Sequence, residues 1–234
     1  MIHTRAERLR TARPLSAGRA ALHLVPTTER PPAAITTDRW PDMPEKGIGA
    51  LDAAAAVGRD PFKSQVRLWM EKTHRQDLLH PMQREVGDAA YWGRLLEPIV
   101  AAHYTRRTGR LVRQTGMTVR HARYPWMFAT VTREVVASPE VELLECLCVG
   151  VSAAPLWTDG VPEYIRLRLL HLLAVTGRRA VDLVVLLGGE ALQIYRVERD
   201  DREIAGLIRQ ERAFWRGVEN DRAPPSRDED ELTP

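Results

Sequence analysis

The sequence predicts an α/β fold in which helices cover a mixed central β-sheet. Two observations support this prediction. Apolar residues recur at helical spacing in residues 88–107, which indicates an amphipathic helix. Residues 111–149 instead contain extended segments rich in β-branched and aromatic residues, with turn signals between them. The predicted order is a helix, three strands, a helix, two strands and a helix, which gives a mixed sheet with helical layers.

The helices before the first long strands are predicted from their end signals. A run of four alanines forms a short helix that Gly58 ends. Ser64 is a natural N-cap for a helix over 65–73. A longer helix begins at Asp88 and ends before Gly109. Its apolar stripe is predicted to consist of Leu96, Ile99, Val100 and Tyr104.

The strands and the later helices follow from composition and turns. Five strands are predicted, at 111–120, 126–136, 141–149, 181–187 and 192–197. Gly188-Gly189 joins the last two as a hairpin. A helix over 163–175 follows Pro162, and the final amphipathic helix covers 201–218.

The chain is predicted to have three parts. Residues 1–39 contain Arg-rich and Pro-bearing sequence without periodicity and are expected to form a flexible N-terminal arm. Residues 40–218 form the folded domain, and residues 219–234 form an acidic, disordered tail. No apolar run approaches the roughly 18 residues that a membrane span requires, and we therefore expect a cytoplasmic protein.

Composition narrows the function classes. The hydrophobic fraction of 44% and the charged fraction of 28% are ordinary for a globular protein. Two cysteines, Cys146 and Cys148, are too few for a disulfide framework or a zinc site. The net charge of +3 permits nucleic-acid binding without requiring it. Lys46, Lys63 and Lys72 are the only lysines, so that no lysine follows position 72.

Two glutamates stand out as candidate functional residues. Glu97 is predicted beside the apolar stripe of its helix, and Glu145 lies within an apolar strand. A structural alternative for Glu97 is an ion pair with Arg94 or Arg168. Glu145 is harder to explain structurally, because a buried carboxylate is costly without a partner. We expect the two carboxylates to converge in a partly open cleft.

Six short motifs together carry a family resemblance. They are Gly47-Ile48-Gly49 with Asp52-Ala53-Ala54, Leu68-Trp69-Met70-Glu71-Lys72-Thr73, Tyr91-Trp92-Gly93 with Leu96-Glu97-Pro98, Leu144-Glu145-Cys146, Gly160-Val161-Pro162-Glu163-Tyr164, and His171 to Gly177. In this order they resemble the YqaJ-type viral recombinases, the group that includes lambda-type alkaline exonucleases. The resemblance implies a restriction-endonuclease-like PD-(D/E)xK nuclease core.

The resemblance also implies an activity and its partners. Such proteins are Mg²⁺- or Mn²⁺-dependent 5′-to-3′ exonucleases that act on double-stranded DNA ends in recombination. A single-strand annealing protein and a homotrimeric assembly are the partners that it implies. Residue by residue, Glu97 matches the helical carboxylate and Glu145 matches the glutamate of the Glu-x-Lys motif. These two residues, with Glu134, are the candidate metal ligands.

Four positions depart from the family pattern. Thr132 stands where the family has a metal-bridging aspartate, and Leu147 stands where it has the lysine. Leu51 replaces a serine near the DNA 5′-phosphate, and Leu170 replaces a glutamine in the helix that faces the metal. Threonine carries no charge for Mg²⁺, and leucine cannot stabilise charge on a reacting phosphate. The active site is therefore predicted to be degraded.

Other residues could compensate in part. Glu134 shares a strand face with Thr132, and Arg168 could supply positive charge to DNA, although arginine is a poor proton carrier. His171, in a leucine-rich helix, fits a core histidine better than a ligand. Three arginines near the end of the long helix are either complements of the helix dipole or a DNA-backbone patch; they are Arg106, Arg107 and Arg110.

Two hypotheses of different classes follow. In the first, the protein is a working Mg²⁺-dependent exonuclease that acts on double-stranded DNA ends, with Glu97, Glu145 and Glu134 around the metal. In the second, it is a catalytically inactive relative that keeps the fold and with it DNA-end binding or assembly with a recombination partner. The departures at Thr132 and Leu147 separate the two, because they remove charges on which the metal chemistry depends.

Overall fold

A six-stranded mixed sheet lies at the centre of the structure, a computed structural model that describes residues 46–79 and 88–225. Its strands are β1 Ile48–Gly49, β2 Leu111–Arg120, β3 Met127–Val136, β4 Leu143–Val149, β5 Ala180–Leu187 and β6 Ala191–Glu198. The strand order is β1-β3-β4-β5-β6, and β2 pairs with β3. The β1–β3 and β4–β5 pairs are parallel, and the other pairs are antiparallel.

Five α-helices surround this sheet in the described residues. They are α1 Ala53–Ala56, α2 Gln65–Lys72, α3 Asp88–Thr108, α4 Glu163–Thr176 and α5 Asp201–Glu219. The Ser64 hydroxyl accepts a hydrogen bond from the Arg67 amide and so caps α2. Gly177, at φ 69°, ends α4 in the left-handed conformation that glycine adopts without strain. The predicted order from α3 to α5 is confirmed, whereas β1 is a strand that the sequence analysis did not predict.

Strand β3 organises the site because three strands share its two edges. Strand β2 pairs along most of its length. Strand β1 pairs at Met127 and Phe128, whereas β4 pairs at Arg133 and Glu134. Because an inner strand has only two edges, β1 and β4 must divide the second one between them. The β3 residues between these two pairings therefore face an opening.

Each face of the sheet has its own apolar core. Helices α4 and α5 pack on one face, around residues such as Leu143, Leu173 and Leu183. Helix α3 packs on the other, where Val100 and Tyr104 meet strand residues. The predicted stripe of α3 needs one correction, since Ile99 is 63% exposed. The buried side chains are those at 100, 101 and 104, which share one helical face.

The ends of the described chain bear on the predicted boundaries. The predicted arm, 1–39, lies outside the described residues, as does the segment 226–234. Helix α5 continues to Glu219, and beyond it Asp221 accepts two hydrogen bonds from Arg75, at 2.6 and 2.8 Å. Across the two described segments, no helix combines the length and apolarity needed to cross a bilayer.

His171 on α4 forms a fully buried pair with Glu211 on α5. Its Nδ1 lies 2.8 Å from the Glu211 carboxylate, and its Nε2 lies 3.0 Å from the Phe128 carbonyl oxygen. A carbonyl oxygen only accepts, and an ionised carboxylate only accepts, so both ring nitrogens must donate. This geometry fits the imidazolium form. The other Glu211 oxygen has no hydrogen-bond partner among the described residues.

This pair predicts a pH dependence of stability. Burial alone lowers the pKa of His171, but Glu211, the Phe128 carbonyl and Asp52 outweigh it and raise the pKa above 6.5. A raised folded pKa gives stability that is complete below the unfolded pKa and lost as the pH rises through the folded one. We expect the unfolding free energy in urea to fall as the pH rises above about 6.5 and through the raised pKa of His171. His171→Gln should flatten this dependence, and an unchanged slope would contradict the imidazolium assignment.

Candidate functional site

A cleft opens where β1 and β4 divide the edge of β3. It has a volume of about 740 Å³. Strands β3 and β4 contribute Thr132 and Glu145, and helix α4 contributes Arg168. The segment before α3 supplies much of the remaining wall, including Leu51, Asp52, Phe62, Lys63 and Lys72. The cleft therefore combines residues that are far apart in the sequence.

Glu145 is the most deeply buried charged group of this cleft. Its side chain is 6% exposed. Oε1 accepts a hydrogen bond from the Thr132 hydroxyl at 3.1 Å, and Oε2 accepts one from Arg168 at 2.6 Å. Both oxygens are thus engaged, and the guanidinium supplies the opposite charge that a buried carboxylate needs. The Arg168 guanidinium therefore offsets the predicted cost of burying the Glu145 carboxylate.

Glu97 belongs to a different ion pair. Arg133 donates to its two oxygens from Nε and one terminal nitrogen, at 2.5 and 2.7 Å. The predicted partners, Arg94 and Arg168, were therefore wrong. Arg133 follows Thr132 directly in β3, and adjacent side chains of a strand point to opposite faces. Glu97 and Glu145 are consequently held in separate ion pairs and do not converge on one shared position.

Cys146, the residue after Glu145 in β4, lies on the same side of the sheet as Glu97. Cys146 packs with the α3 core. Burial raises the pKa of its thiol, and the nearby Glu97 carboxylate raises that pKa further. Its neighbour Glu145 points into the cleft. A thiol with a raised pKa is unreactive at neutral pH, which indicates a structural role for Cys146.

The other predicted site residues divide into two groups. Leu51 lines the cleft and is 63% exposed. Leu147 is partly buried against the core below α4 and lies outside the lining of the cleft. Leu170 is also buried and borders a separate groove between α4 and α5. It therefore does not face Glu145, because Arg168 and Leu172 occupy the helix face that does.

Glu134, the predicted substitute ligand, is paired elsewhere. Its carboxylate accepts a hydrogen bond from Arg113 at 2.6 Å and lies 3.6 Å from Arg178. It is not part of the cleft lining. Sharing a strand face with Thr132 thus does not bring Glu134 into the cleft. Strand β4 pairs with β3 at Arg133 and Glu134 and separates from β3 on the side of Thr132.

A cluster around Asp52 was missed by the sequence analysis. Lys72 Nζ lies 2.7 Å from one Asp52 oxygen, and Lys63 Nζ lies 3.7 Å from the other. Lys63 also contacts Glu71 at 2.8 Å. The fold therefore brings two of the three lysines to the cleft from the N-terminal region. The motif containing Lys72 was recognised, but only the long-range packing shows where it points.

The donor set of the cleft does not fit a divalent metal ion. Magnesium prefers carboxylate oxygens and water. In the part of the chain that the structure describes, no three His, Cys, Asp or Glu side chains are placed to hold a metal ion. Glu145 is occupied by Arg168 and Thr132, and Asp52 by the two lysines. The charges here are balanced by side-chain cations.

Comparisons with known proteins give one family and one fold. Residues 39–179 match the YqaJ-like viral recombinase domain. The protein YqaJ of Bacillus subtilis (strain 168), which is described as uncharacterized, is 33% identical over 184 residues. That alignment covers 77% of this chain and 56% of the relative, so the chain spans about half of the relative's length.

Solved structures of exonucleases have the same fold. The alkaline exonuclease LHK-Exo from Laribacter hongkongensis is 22% identical with a TM-score of 0.62, covering 75% of this chain and 89% of its own. Its complex with dAMP is 21% identical at the same TM-score and covers 76% and 89%. A phage-related exonuclease from Haemophilus somnus 129PT is 9% identical with a TM-score of 0.54, covering 75% and 94%. The predicted restriction-endonuclease-like fold class is confirmed.

Proposed function

Because the chain belongs to the YqaJ-like viral recombinase family, we propose that it binds double-stranded DNA ends without robust metal-dependent cleavage. The observation that carries this proposal is the occupation of Glu145 by Arg168 and Thr132. The solved exonucleases support DNA as the ligand class. The first hypothesis, an active Mg²⁺- or Mn²⁺-dependent exonuclease, remains the competing proposal because of the same relatives.

The loss of cleavage follows from the charges at Glu145. Arginine is a permanent cation and cannot move a proton at neutral pH. Its guanidinium neutralises Glu145 at 2.6 Å, where a divalent ion would need an unoccupied oxygen. Thr132 adds a hydroxyl and no charge. In this arrangement the carboxylates of Glu145 and Asp52 are engaged by side-chain cations and are not free to hold the metal ion of metal-assisted hydrolysis.

The binding of DNA is supported by the composition of the cleft. Lys63, Lys72 and Arg168 line the cleft beside the carboxylates of Asp52, Asp60, Glu71 and Glu145. Lysine and arginine are the residues that contact DNA phosphates, so these three are the candidate phosphate contacts. Phe62 is 56% exposed at the cleft and packs edge-on against Tyr164. An exposed ring of this kind offers a stacking surface for a base. A relative with this fold has been solved with dAMP.

The finer family properties are proposals of the same kind. Assembly into a homotrimer and contact with a single-strand annealing protein are consistent with the family. The exonuclease relatives imply a divalent metal in the family, whereas in this chain the carboxylates of Glu145 and Asp52 are paired with side-chain cations. Its site residues therefore divide into a DNA-facing set, Leu51 and Arg168, and a neutralised set, Glu97 and Glu145.

Binding at the cleft can be tested with a pair of charge substitutions. Leu51→Glu adds a negative charge at the cleft, and Leu111→Glu adds one at a site of similar exposure outside its lining, 63% and 66% respectively. Fluorescence anisotropy with a short linear duplex in EDTA should show affinity reduced about tenfold by Leu51→Glu alone, because a carboxylate repels phosphate. Equal affinities of both variants and the unmodified protein would refute cleft binding.

A further inference from the structure

The outward face of α5 carries four arginines that have no partner among the residues that the structure describes. Arg202, Arg209, Arg212 and Arg216 are all exposed. Their side chains form no hydrogen bond or ion pair with any residue that the structure describes. Three of them are spaced by seven residues, which places them in one line along the helix. We call these four residues the arginine face.

The arginine face is long and flat. From Arg202 to Arg216 it extends about 21 Å at the helical rise of about 1.5 Å per residue. The residues between the arginines are small, since Ala205, Gly206 and Ala213 lie on the same side. An extended peptide can therefore approach the helix backbone closely. The face suits a linear anionic ligand better than a compact one.

The carboxylates of α5 do not neutralise this face. Helix α5 has four carboxylates, and each contacts a residue outside the arginine face. The partners are Arg199 for Asp201, Arg166 for Glu203, His171 for Glu211 and Trp215 for Glu219. Favourable pairs on a helix need opposite charges three or four residues apart. The positive charge of the arginine face is thus uncompensated within its own helix.

The chain that follows α5 has the complementary charge. Asp228, Glu229, Asp230 and Glu231 are four consecutive acidic residues in the segment 226–234. Just after the helix the chain turns back toward it, since the Arg222 amide donates to the Gly217 carbonyl at 2.8 Å and Asp221 has a φ of 50°. Helix α5 therefore ends in a tight turn, and the acidic run follows this turn within a few residues in the sequence.

The segment between α5 and the acidic run is long enough for the acidic residues to reach the arginine face. Eight residues separate Asn220 from Asp228, and extended chain spans about 3.3 Å per residue, hence about 26 Å. Along α5, Arg209 lies eleven residues before Asn220, or about 16 Å. The acidic run can therefore reach Arg216, Arg212 and Arg209. A tether of this length gives an effective concentration on the order of millimolar.

We propose that the acidic segment 226–234 docks intramolecularly on the arginine face of α5. Arginine and carboxylate form paired, charge-assisted hydrogen bonds, which suit four acids facing four arginines. The docking would cover the basic surface of α5 and keep other polyanions from it. This inference rests on α5 and on the acidic run, and it stands independently of the DNA binding proposed for the cleft.

Nuclear magnetic resonance of the full chain tests the docking. The tail variant carries Asp228→Asn, Glu229→Gln, Asp230→Asn and Glu231→Gln; the control variant carries Glu190→Gln and Glu198→Gln on the exposed β5–β6 region. The tail variant should shift the side-chain Nε–H signals of the arginine face, and the control should leave them unchanged. In the unmodified protein, raising the salt from about 50 to about 500 mM should reproduce the same shifts by screening.

Several results would overturn the proposal. Unchanged signals in the tail variant, or changes confined to other parts of the protein, would show that the acidic segment does not dock there. Shifts that depend on protein concentration would identify a second copy as the occupant. Shifts that occur only when a duplex is added would identify DNA. Because duplex binding at the cleft is measured with Leu51→Glu, its failure and that of the docking remain distinguishable.

Discussion

A variant that restores the family's charges, Thr132→Asp with Leu147→Lys and Arg168→Gln, is expected to degrade linear duplex DNA in Mg²⁺ far faster than the unmodified protein. Positions 145 and 147 share a strand face, so a longer side chain at 147 can reach toward Glu145. Replacing Arg168 frees the Glu145 oxygen that it occupies at 2.6 Å. The combined gain should be on the order of 10³-fold, the range that one charge-stabilising group typically supplies.

The single substitutions should have much smaller effects than the combination. Groups that act as one catalytic unit lose nearly all activity when any member is missing. The matched control is Thr132→Asn with Leu147→Met and Arg168→Gln, which changes the same positions without adding charge. Its degradation rate should remain at the level of the unmodified protein. Fast digestion by the unmodified protein, abolished by Glu145→Gln, would contradict the degraded site.

The second large effect is expected at Asp182, a buried carboxylate of β5. It accepts a hydrogen bond from the buried Tyr104 hydroxyl at 2.7 Å and from Arg196 at 2.8 and 3.2 Å, and Arg110 lies 3.7 Å away. Burial and then this hydrogen bond raise the pKa of Tyr104. Asp182→Ala leaves a buried hydroxyl without its acceptor and removes the buried carboxylate that pairs with Arg196 and Arg110. We expect a loss of about 3 kcal/mol in unfolding free energy.

The same network supplies a control for Asp182. Glu140 contacts Arg110 and Arg196 at 2.6 and 3.1 Å, but its side chain is 59% exposed. Exposed ion pairs contribute little to stability because water screens them. Urea unfolding of Glu140→Gln should therefore match that of the unmodified protein. A similar loss of unfolding free energy in Asp182→Ala and Glu140→Gln would mean that the number of charges, and not their burial, determines how much the network stabilises the fold.

The Asp182 network also bears on the basic residues near the end of α3, which the sequence analysis interpreted either as complements of the helix dipole or as a DNA-backbone patch. Arg110 belongs to the ion pairs of Asp182 and Glu140, and Arg107 donates to the Leu192 carbonyl at 3.3 Å. These contacts favour a structural role over a DNA-backbone patch. The sequence predicted that the residues are basic and lie near a helix end, but their acceptors lie on strands far away in the chain.

Local patterns predicted the elements well because their causes are local. The Ser64 cap, the glycine at 177 and the alternation of β3 each act within a few residues. The predicted partner of Glu97 was wrong for the opposite reason, since Arg133 lies 36 residues away and reaches Glu97 only through the packing of α3 on the sheet. Arg168 was foreseen as a source of charge, although its contact with Glu145 was not.

The two lysines of the cleft show the same limit. The sequence places Lys63 and Lys72 before α3, far from the strand that holds Glu145. Strand β1 pairs with β3 beside the opening and carries the segment of Asp52 to the cleft. That pairing involves two residues of each strand, which is too short to predict from alternation. The residues that line the β3 edge shared by β1 and β4 can therefore be identified only from the structure.

The central claim is that Glu145 is neutralised by Arg168 and is not available to a metal ion. Calorimetric titration of the unmodified protein with Mn²⁺ tests it most directly, with Arg168→Gln/Thr132→Asp as the comparison. We predict no saturable heat for the unmodified protein and saturable binding for the comparison variant, because the carboxylate added at position 132 then lies beside a Glu145 that Arg168 no longer occupies. Stoichiometric binding by the unmodified protein that disappears in Glu145→Gln would contradict the account.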